Sequence, residues 1–386
     1  MTDETEKLAA GIWLSKMIRY AGLSNIFVAQ LLEYSAGILP LFNMNPVFIP
    51  EMLSGPPEKI IKLKGYLKDN NFRKQSKEEG ILHSKNNIRL LTCIEEQYPE
   101  KLKTISSSPA LLYFSGDNYE EVLRQKYSIA IVGTRTPSVY GEAVTRKFVA
   151  DIVARNVAIV SGMARGIDSL AHKVTLDNNG MTIAVLGCGL DIVYPPENIE
   201  LMRRIMNFGL LISECPPGTQ PMKSFFPARN RIISGLCDCV AVMEASKKSG
   251  TMITAGYAGD QGRDLFAVPG SIFSPNSSGT NKLIQDGACV LTDADDMLWR
   301  LPLQSLQSLK ESCGQKNSAK KKNEIGAENR NPSIKDILLY TEKTIDEISE
   351  ELGMTTAKVS EMVSFMELSG ELISKNGRFS LTESYK

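Results

Sequence analysis

The sequence predicts an α/β protein: a Rossmann-like, doubly wound, mostly parallel sheet, with an N-terminal helical domain and a C-terminal winged-helix domain. Three observations predict it. From Tyr127 onward, short and wholly apolar runs alternate with helical stretches, as strands buried on both faces of a helix-covered parallel sheet require. Before that region, apolar residues recur three and four apart. After it comes a polar stretch, and then helices closed by a hairpin.

In chain order, LAAGIWLSKMIRYAGL, NIFVAQLLEYSAGIL and SGPPEKIIKLKGYLKDN carry the helical spacing, which assigns residues 1–80 to a small helical domain of the SAM or helix-hairpin-helix kind. Ile88 to Gly116 has the short apolar runs and Pro breaks of a lead-in to a sheet. The runs YSIAIVG, VAIVSG, MTIAVLG, LLISE, CVAVMEA and DLFAVPG then read as strands. Between them lie helical stretches such as VYGEAVTRKFVADIVARN and TMITAGYAGDQG. Lead-in and sheet make one domain over 81–302. Residues 303–332 lose the periodicity and gain Ser, Gln, Asn and Lys, the composition of a flexible linker. The Lys320-Lys321-Lys322 run belongs to that solvated stretch.

Residues 333–386 read helix, helix, Gly turn, helix, hairpin, with an Asn-Gly turn between the last two strands. This winged helix holds six Lys and Arg against ten Asp and Glu. Its presumed recognition helix offers only Lys358, beside Glu361 and Glu367, where groove readers present Arg, Lys, Asn or Gln. Protein contact suits it better than duplex reading.

A chain of 386 residues with 42% hydrophobic and 23% charged side chains is an ordinary soluble composition of two or three domains. The start MTDETEKLAAGIW lacks the basic and apolar regions of a secretion signal, and no run of about 18 apolar residues follows. These features predict a cytoplasmic protein without membrane contact. Seven cysteines lie scattered through apolar segments and read as reduced core residues; Cys237 and Cys239, two apart, are expected on one strand face. No metal-ligand spacing is present, and His83 and His172 are the only histidines. Lys plus Arg equals Asp plus Glu at 44 each, so any nucleic-acid site has to be local.

Ligands of open α/β sheets bind outside the carboxyl ends of the strands, and four loops there are unusual. Gly133-Thr134-Arg135 combines close backbone approach, a hydroxyl and a forked cation. These residues also suit a tight turn with a surface Arg; the functional edge favours an anion site. Ser161-Gly162-Met163-Ala164-Arg165-Gly166 resembles a dinucleotide loop but lacks G-x-G-x-x-G, which disfavours a nicotinamide or flavin cofactor. Gly166 would free the next helix's amides for a phosphate, whereas Asp168 and His172 read first as structural. Arg229-Asn230-Arg231, after Phe225 and Phe226, offers guanidinium groups for phosphates and rings for bases; the Phe pair equally suits a core, and one Arg an internal ion pair. Lys248-Ser249-Gly250-Thr251 brings charge, hydroxyls and a cap to a helix start, and no Walker A spacing accompanies it. Four anion-suited loops along one edge describe an extended track, with several phosphates in a row as the economical ligand.

Across these loops the chain closely resembles the DNA-processing protein A family (DprA, also called Smf). The matching pieces are IVGTRTPSVYG, SGMARGIDSLAH, AVLGCGLDIVYPPEN, ISECPPG, FPARNRIISGL, EASKKSGTMITAGYAGDQGRDLFAVPG and GTNKLIQDGA, in the family's order. The resemblance implies a single-stranded DNA-binding protein, not an enzyme. It would protect DNA during natural transformation, help load a RecA-type recombinase, and form a homodimer through the Rossmann-like domains. The family's DNA-contacting loop falls on Gly133, Thr134 and Arg135. Pro196 stands where several relatives carry a basic residue, a contact that Arg203 or Arg204 would have to supply. The competing reading is a nucleotide phosphoribohydrolase-like enzyme on the related fold. Its signature Glu would fall at Thr254, so that reading lacks its carboxylate.

Overall fold

The computed structural model describes residues 2–44, 57–301, 334–338, 342–375 and 377–382. The linker expected over 303–332, with Lys320 to Lys322, lies outside the described residues. The chain divides into two units, Met1–Gln304 and Ser305–Lys386.

The first unit is built on nine strands: β1 (Arg89–Thr92), β2 (Leu111–Ser115), β3 (Ser128–Val132), β4 (Ala158–Ser161), β5 (Thr182–Leu186), β6 (Leu210–Ser213), β7 (Cys239–Val242), β8 (Asp264–Ala267) and β9 (Cys289–Val290). Their order across the sheet is β1-β2-β6-β5-β4-β3-β7-β8-β9. From β6 through β9 every neighbouring pair is parallel, while β2 joins β6, and β1 joins β2, antiparallel. The predicted α/β class with a mostly parallel sheet is the class observed. The chain winds outward from β3 to β6 and returns to place β7 against the other side of β3. The loops after β3 and β7 therefore flank the point where the winding reverses, which is where open sheets of this kind hold ligands.

Alternation along the strands feeds two faces. Ile129 and Ile131 pack with Phe148, Val149, Leu170 and Val174 of the helices Val139–Val153 and Ile167–Asp177. Ala130 and Val132 pack with Ile232, Ile233, Ala255 and Ala258 of the helices Phe225–Gly235 and Thr251–Asp260. Cys237 and Cys239 do not share a face, contrary to expectation. Cys237 joins the second core and Cys239 the first, because β7 begins only at Cys239 and the preceding turn breaks the alternation.

The N-terminal helices do not keep a core to themselves. Leu8, Ile12, Trp13 and Phe42 belong to one cluster with Leu90, Leu111, Tyr113, Leu186 and Leu211 of the sheet, and Ser15 and Tyr113 share a 2.7 Å hydroxyl contact. Each large apolar side chain so buried is worth about 1.5–3 kcal/mol. Cutting the chain near residue 80 would thus expose a sheet face rather than separate two finished domains.

The second unit contains the helices Ile334–Leu338, Ile345–Leu352 and Thr356–Leu368, then the antiparallel pair β10 (Leu372–Lys375) and β11 (Arg378–Leu381). Ile334, Leu338, Ile348, Val359, Val363, Leu372 and Leu381 form its core. Thr344 and Glu347 close a capping box on the middle helix, the reciprocal arrangement that satisfies two amides at a helix start.

Candidate functional site

The loop leaving β3 is held from behind. Thr134 donates its amide to the Glu244 carbonyl at 2.7 Å. The buried Glu244 carboxylate accepts from the Ser138 amide (2.8 Å) and hydroxyl (2.7 Å). The Thr251 hydroxyl donates to the Gly133 carbonyl at 2.9 Å, tying the β3 loop to the helix that follows β7. With the backbone fixed on three sides, Arg135 projects outward, exposed and without an ion pair or side-chain hydrogen bond to any described residue.

The loop leaving β4 presses against that one. Gly166 has φ +74°, and a Cβ there would lie 2.4 Å from the Thr134 carbonyl oxygen, so only glycine satisfies both backbone and space. Two of the first amides of the helix that starts at Ile167 are already taken. Ile167 donates to the Thr134 carbonyl and Ser169 to the Ala164 carbonyl. Ser161 is fully buried and donates to the Ile131 carbonyl, so its hydroxyl serves the sheet. Arg165 is exposed but clasped by Glu197 through two contacts, Nη2 to Oε2 at 3.2 Å and Nε to Oε1.

Arg229 and Arg231 depart furthest from expectation. The stretch FFPARNRIISGL is a helix, Phe225–Gly235, and both arginines are buried on it, 7% and 8% exposed. Arg229 donates to the Gly162 carbonyl (2.7 Å) and to the Val185 carbonyl. It faces the buried Asp168 across Gly162, where a Cβ would lie 2.8 Å from both side chains. Asp168 also accepts from the Gly162 amide. Burial pulls the Arg229 guanidinium down to about 10 and pushes the Asp168 carboxyl up to about 6, the cost of desolvating two charges. Arg231 is paired with Glu214 at 2.6 Å. These two arginines are framework rather than free cations, and Asn230, half-buried, accepts from Arg229 Nε at 3.3 Å.

In the loop after β7, Lys247 and Lys248 are exposed. Ser249 accepts from the Thr251 amide (3.2 Å) and donates to the Thr251 hydroxyl (3.0 Å). Gly250 is exposed and starts the helix. Thus Ser249 caps the turn, and Lys247 and Lys248 are left as the loop's unpaired cations.

These loops enclose one groove lined by Arg135, Tyr194, Lys223, Phe226, Ser249 and Thr251. Tyr194 and Phe226 lie with ring centroids 5.2 Å apart at 32°, a tilted pair that presents π-faces beside the cations. Lys223 is exposed and unpaired like Arg135 and Lys248. Arg203 pairs with Glu200 and Arg204 with Asp177, so neither stands free to replace a cation at Pro196. Among the described residues no cluster of three metal-ligating side chains occurs, and no helix is long and apolar enough to cross a membrane. Sequence reasoning missed Lys223, Tyr194 and Glu244. Tyr194 and Glu244 lay inside quoted segments without an assigned role, and the signal for Lys223 was its position just ahead of the two Phe residues.

Fold and groove together define a Rossmann-like protein whose switch-point loops carry unpaired cations around an aromatic pair. The chain belongs to the DNA recombination-mediator protein A family, whose model matches residues 89–302. It is similar to the DNA processing protein DprA of Bacillus subtilis (strain 168), with 42% identity over 220 residues, 57% of this chain and 73% of that one. Among solved structures, DNA processing protein A from Streptococcus pneumoniae is similar at a TM-score of 0.59 and 34% identity, covering 74% of this chain and 96% of that one. DNA processing protein A from Helicobacter pylori, described for its single-stranded DNA binding mode, is similar at a TM-score of 0.50 and 30% identity, over 58% and 96% of the two chains.

Proposed function

We propose that this chain binds single-stranded DNA in the groove at the carboxyl edge of its sheet. In this role it shields the strand and helps load a RecA-type recombinase during recombination or natural transformation. The observation that carries the reading is the junction of the β3, β5 and β7 loops and the Phe225–Gly235 helix, where Arg135 and Lys223 line one groove with the Tyr194–Phe226 pair and Lys247 and Lys248 stand exposed on the β7 loop. Unpaired cations suit phosphates of any sequence, and open ring faces suit unpaired bases, which a duplex keeps stacked. The single-stranded DNA binding described for the Helicobacter pylori relative supports the same ligand. In this reading the protein acts in the cytoplasm as a homodimer through the Rossmann-like domain, holds its ligand without a cofactor or metal, and carries out no catalysis.

Arg135→Ala tests the site. It should weaken oligo-dT binding for all sequences alike and flatten the salt dependence by about one phosphate-equivalent, read by fluorescence anisotropy against salt. Unchanged affinity would remove Arg135 from the interface. Incubation with nucleoside monophosphates addresses the enzymatic alternative, because release of free base at enzymatic rates would sink the binding-protein reading.

A further inference from the structure

Phe273 is 90% exposed and its neighbour Ile272 83%. A bare ring usually sits on a slack segment, but this loop is firmly tied. Tyr140 donates its hydroxyl to the Pro269 carbonyl at 2.9 Å. Gly270 and Asn281 exchange two hydrogen bonds, at 3.2 and 2.9 Å. Asn276 donates to the Thr136 carbonyl at 3.2 Å, and the Lys247 amide donates to the Ser278 hydroxyl at 3.3 Å. The Gly279 amide reaches the Ala245 carbonyl at 2.7 Å. The loop leaving β8 is thereby locked onto the loops leaving β3 and β7, one strand further along the same sheet edge.

The segments tied together there carry charge of one sign. Segments 133–141, 246–254 and 269–281 contain Arg135, Lys247 and Lys248 and no carboxylate. A purely apolar partner would have no use for these cations, and a free phosphate would have none for the ring. A polyanion with flat, unsaturated side groups satisfies both.

The geometry points to Phe273 as a stacking residue for a nucleobase, with Ile272 beside it, extending the single-strand track outward past β8. This rests on the groove reading above. Stacking of a base on an aromatic side chain tolerates any base, because each has a π-face, so the residue adds affinity and length to the site rather than sequence preference.

The test compares the full-length parent with Phe273→Ala and Phe273→Trp on oligo-dT and on an abasic strand of equal length. Phe273→Ala should weaken oligo-dT binding by roughly 5- to 100-fold and leave binding of the abasic strand unchanged. Phe273→Trp should retain affinity, and oligo-dT should quench its added emission beyond any change in the parent's Trp13 and Trp299. Three results would overturn the proposal: parent-like oligo-dT affinity in Phe273→Ala, an equal loss on the abasic strand, or a loss that tracks a change in sedimentation. If the parent itself fails to bind oligo-dT, the groove reading falls together with it.

Discussion

Two arginines of this protein do opposite work, and their surroundings decide which. Arg135 stands on a loop whose backbone is secured by Glu244 and Thr251, and its guanidinium is left to solvent. Arg229 is taken out of water and spends its donors on two backbone carbonyls opposite Asp168. Removing one member of a buried charged pair leaves the other uncompensated, so Arg229→Met should cost about 3–5 kcal/mol of stability. Urea unfolding would check it; a loss below about 1 kcal/mol would show Arg229 to be surface-like. Composition cannot tell such arginines apart, but spacing can. Arg229, Ile232 and Ile233 fall three and four apart on one helical face, a signal hidden by reading the stretch as a loop.

His172 gives a pH signature. It is buried, its Nδ1 bonds to Thr182 Oγ1 at 2.6 Å, and Thr182 in turn donates to the Ile159 carbonyl, so His172 is the donor in the first bond. Burial, with Arg229 nearby, holds the imidazole down at about 3. An unfolded chain binds that proton near pH 6.5. Between about pH 6.5 and 3 the unfolded state is the better proton acceptor, so this contribution to stability is present above pH 6.5 and lost as pH falls. Asp168 works in the other sense, since its raised carboxyl favours the folded state at low pH and loses that advantage as pH climbs from about 4 to 6. His172→Gln should flatten the acid-side slope by up to about 1.4 kcal/mol per pH unit, measured as urea stability across that range. Parallel curves for the two proteins would contradict it.

At the scale of elements, the strands were legible and one helix was not. Wholly apolar runs such as IAIV and CVAV allow few placements other than a doubly covered sheet. The helix Phe225–Gly235 was obscured by Pro227, which reads as a breaker. It sits in the first turn, however, where a missing amide breaks no intrahelical bond. The start after Gly166 was overread for a related reason: the Ile167 and Ser169 amides are already taken by the Thr134 and Ala164 carbonyls, contacts that no propensity pattern reveals. That junction is also the tightest point between the β3 and β4 loops. Gly166→Ala has to strain a positive φ and displace Thr134, so it should cost about 1–3 kcal/mol and weaken oligo-dT binding by shifting Arg135. Thermal unfolding with a binding titration would show both; a variant with parent-like stability and affinity would mean that the loops are not mutually fixed.

Over the whole molecule, equal numbers of acidic and basic residues conceal a local arrangement. Several described arginines on the first unit's surface are balanced by carboxylates, as Arg165 is by Glu197 and Arg204 by Asp177, whereas Arg135 and Lys223 in the groove, and Lys247 and Lys248 on the β7 loop, have no ion pair to a described residue. The first unit has its own shared core, and the second has a separate one, with ten Asp and Glu against six Lys and Arg over residues 333–386. Deleting residues 303–386 should therefore leave oligo-dT affinity intact; loss of most binding would move the site to the C-terminal unit. The most direct measurement is a crystal structure of the full-length protein with oligo-dT. Single-strand binding in the groove predicts phosphates on Arg135, Lys223 and Lys248 with bases against Tyr194 and Phe226. An empty groove, with the strand lying along the Thr356–Leu368 helix, would contradict it.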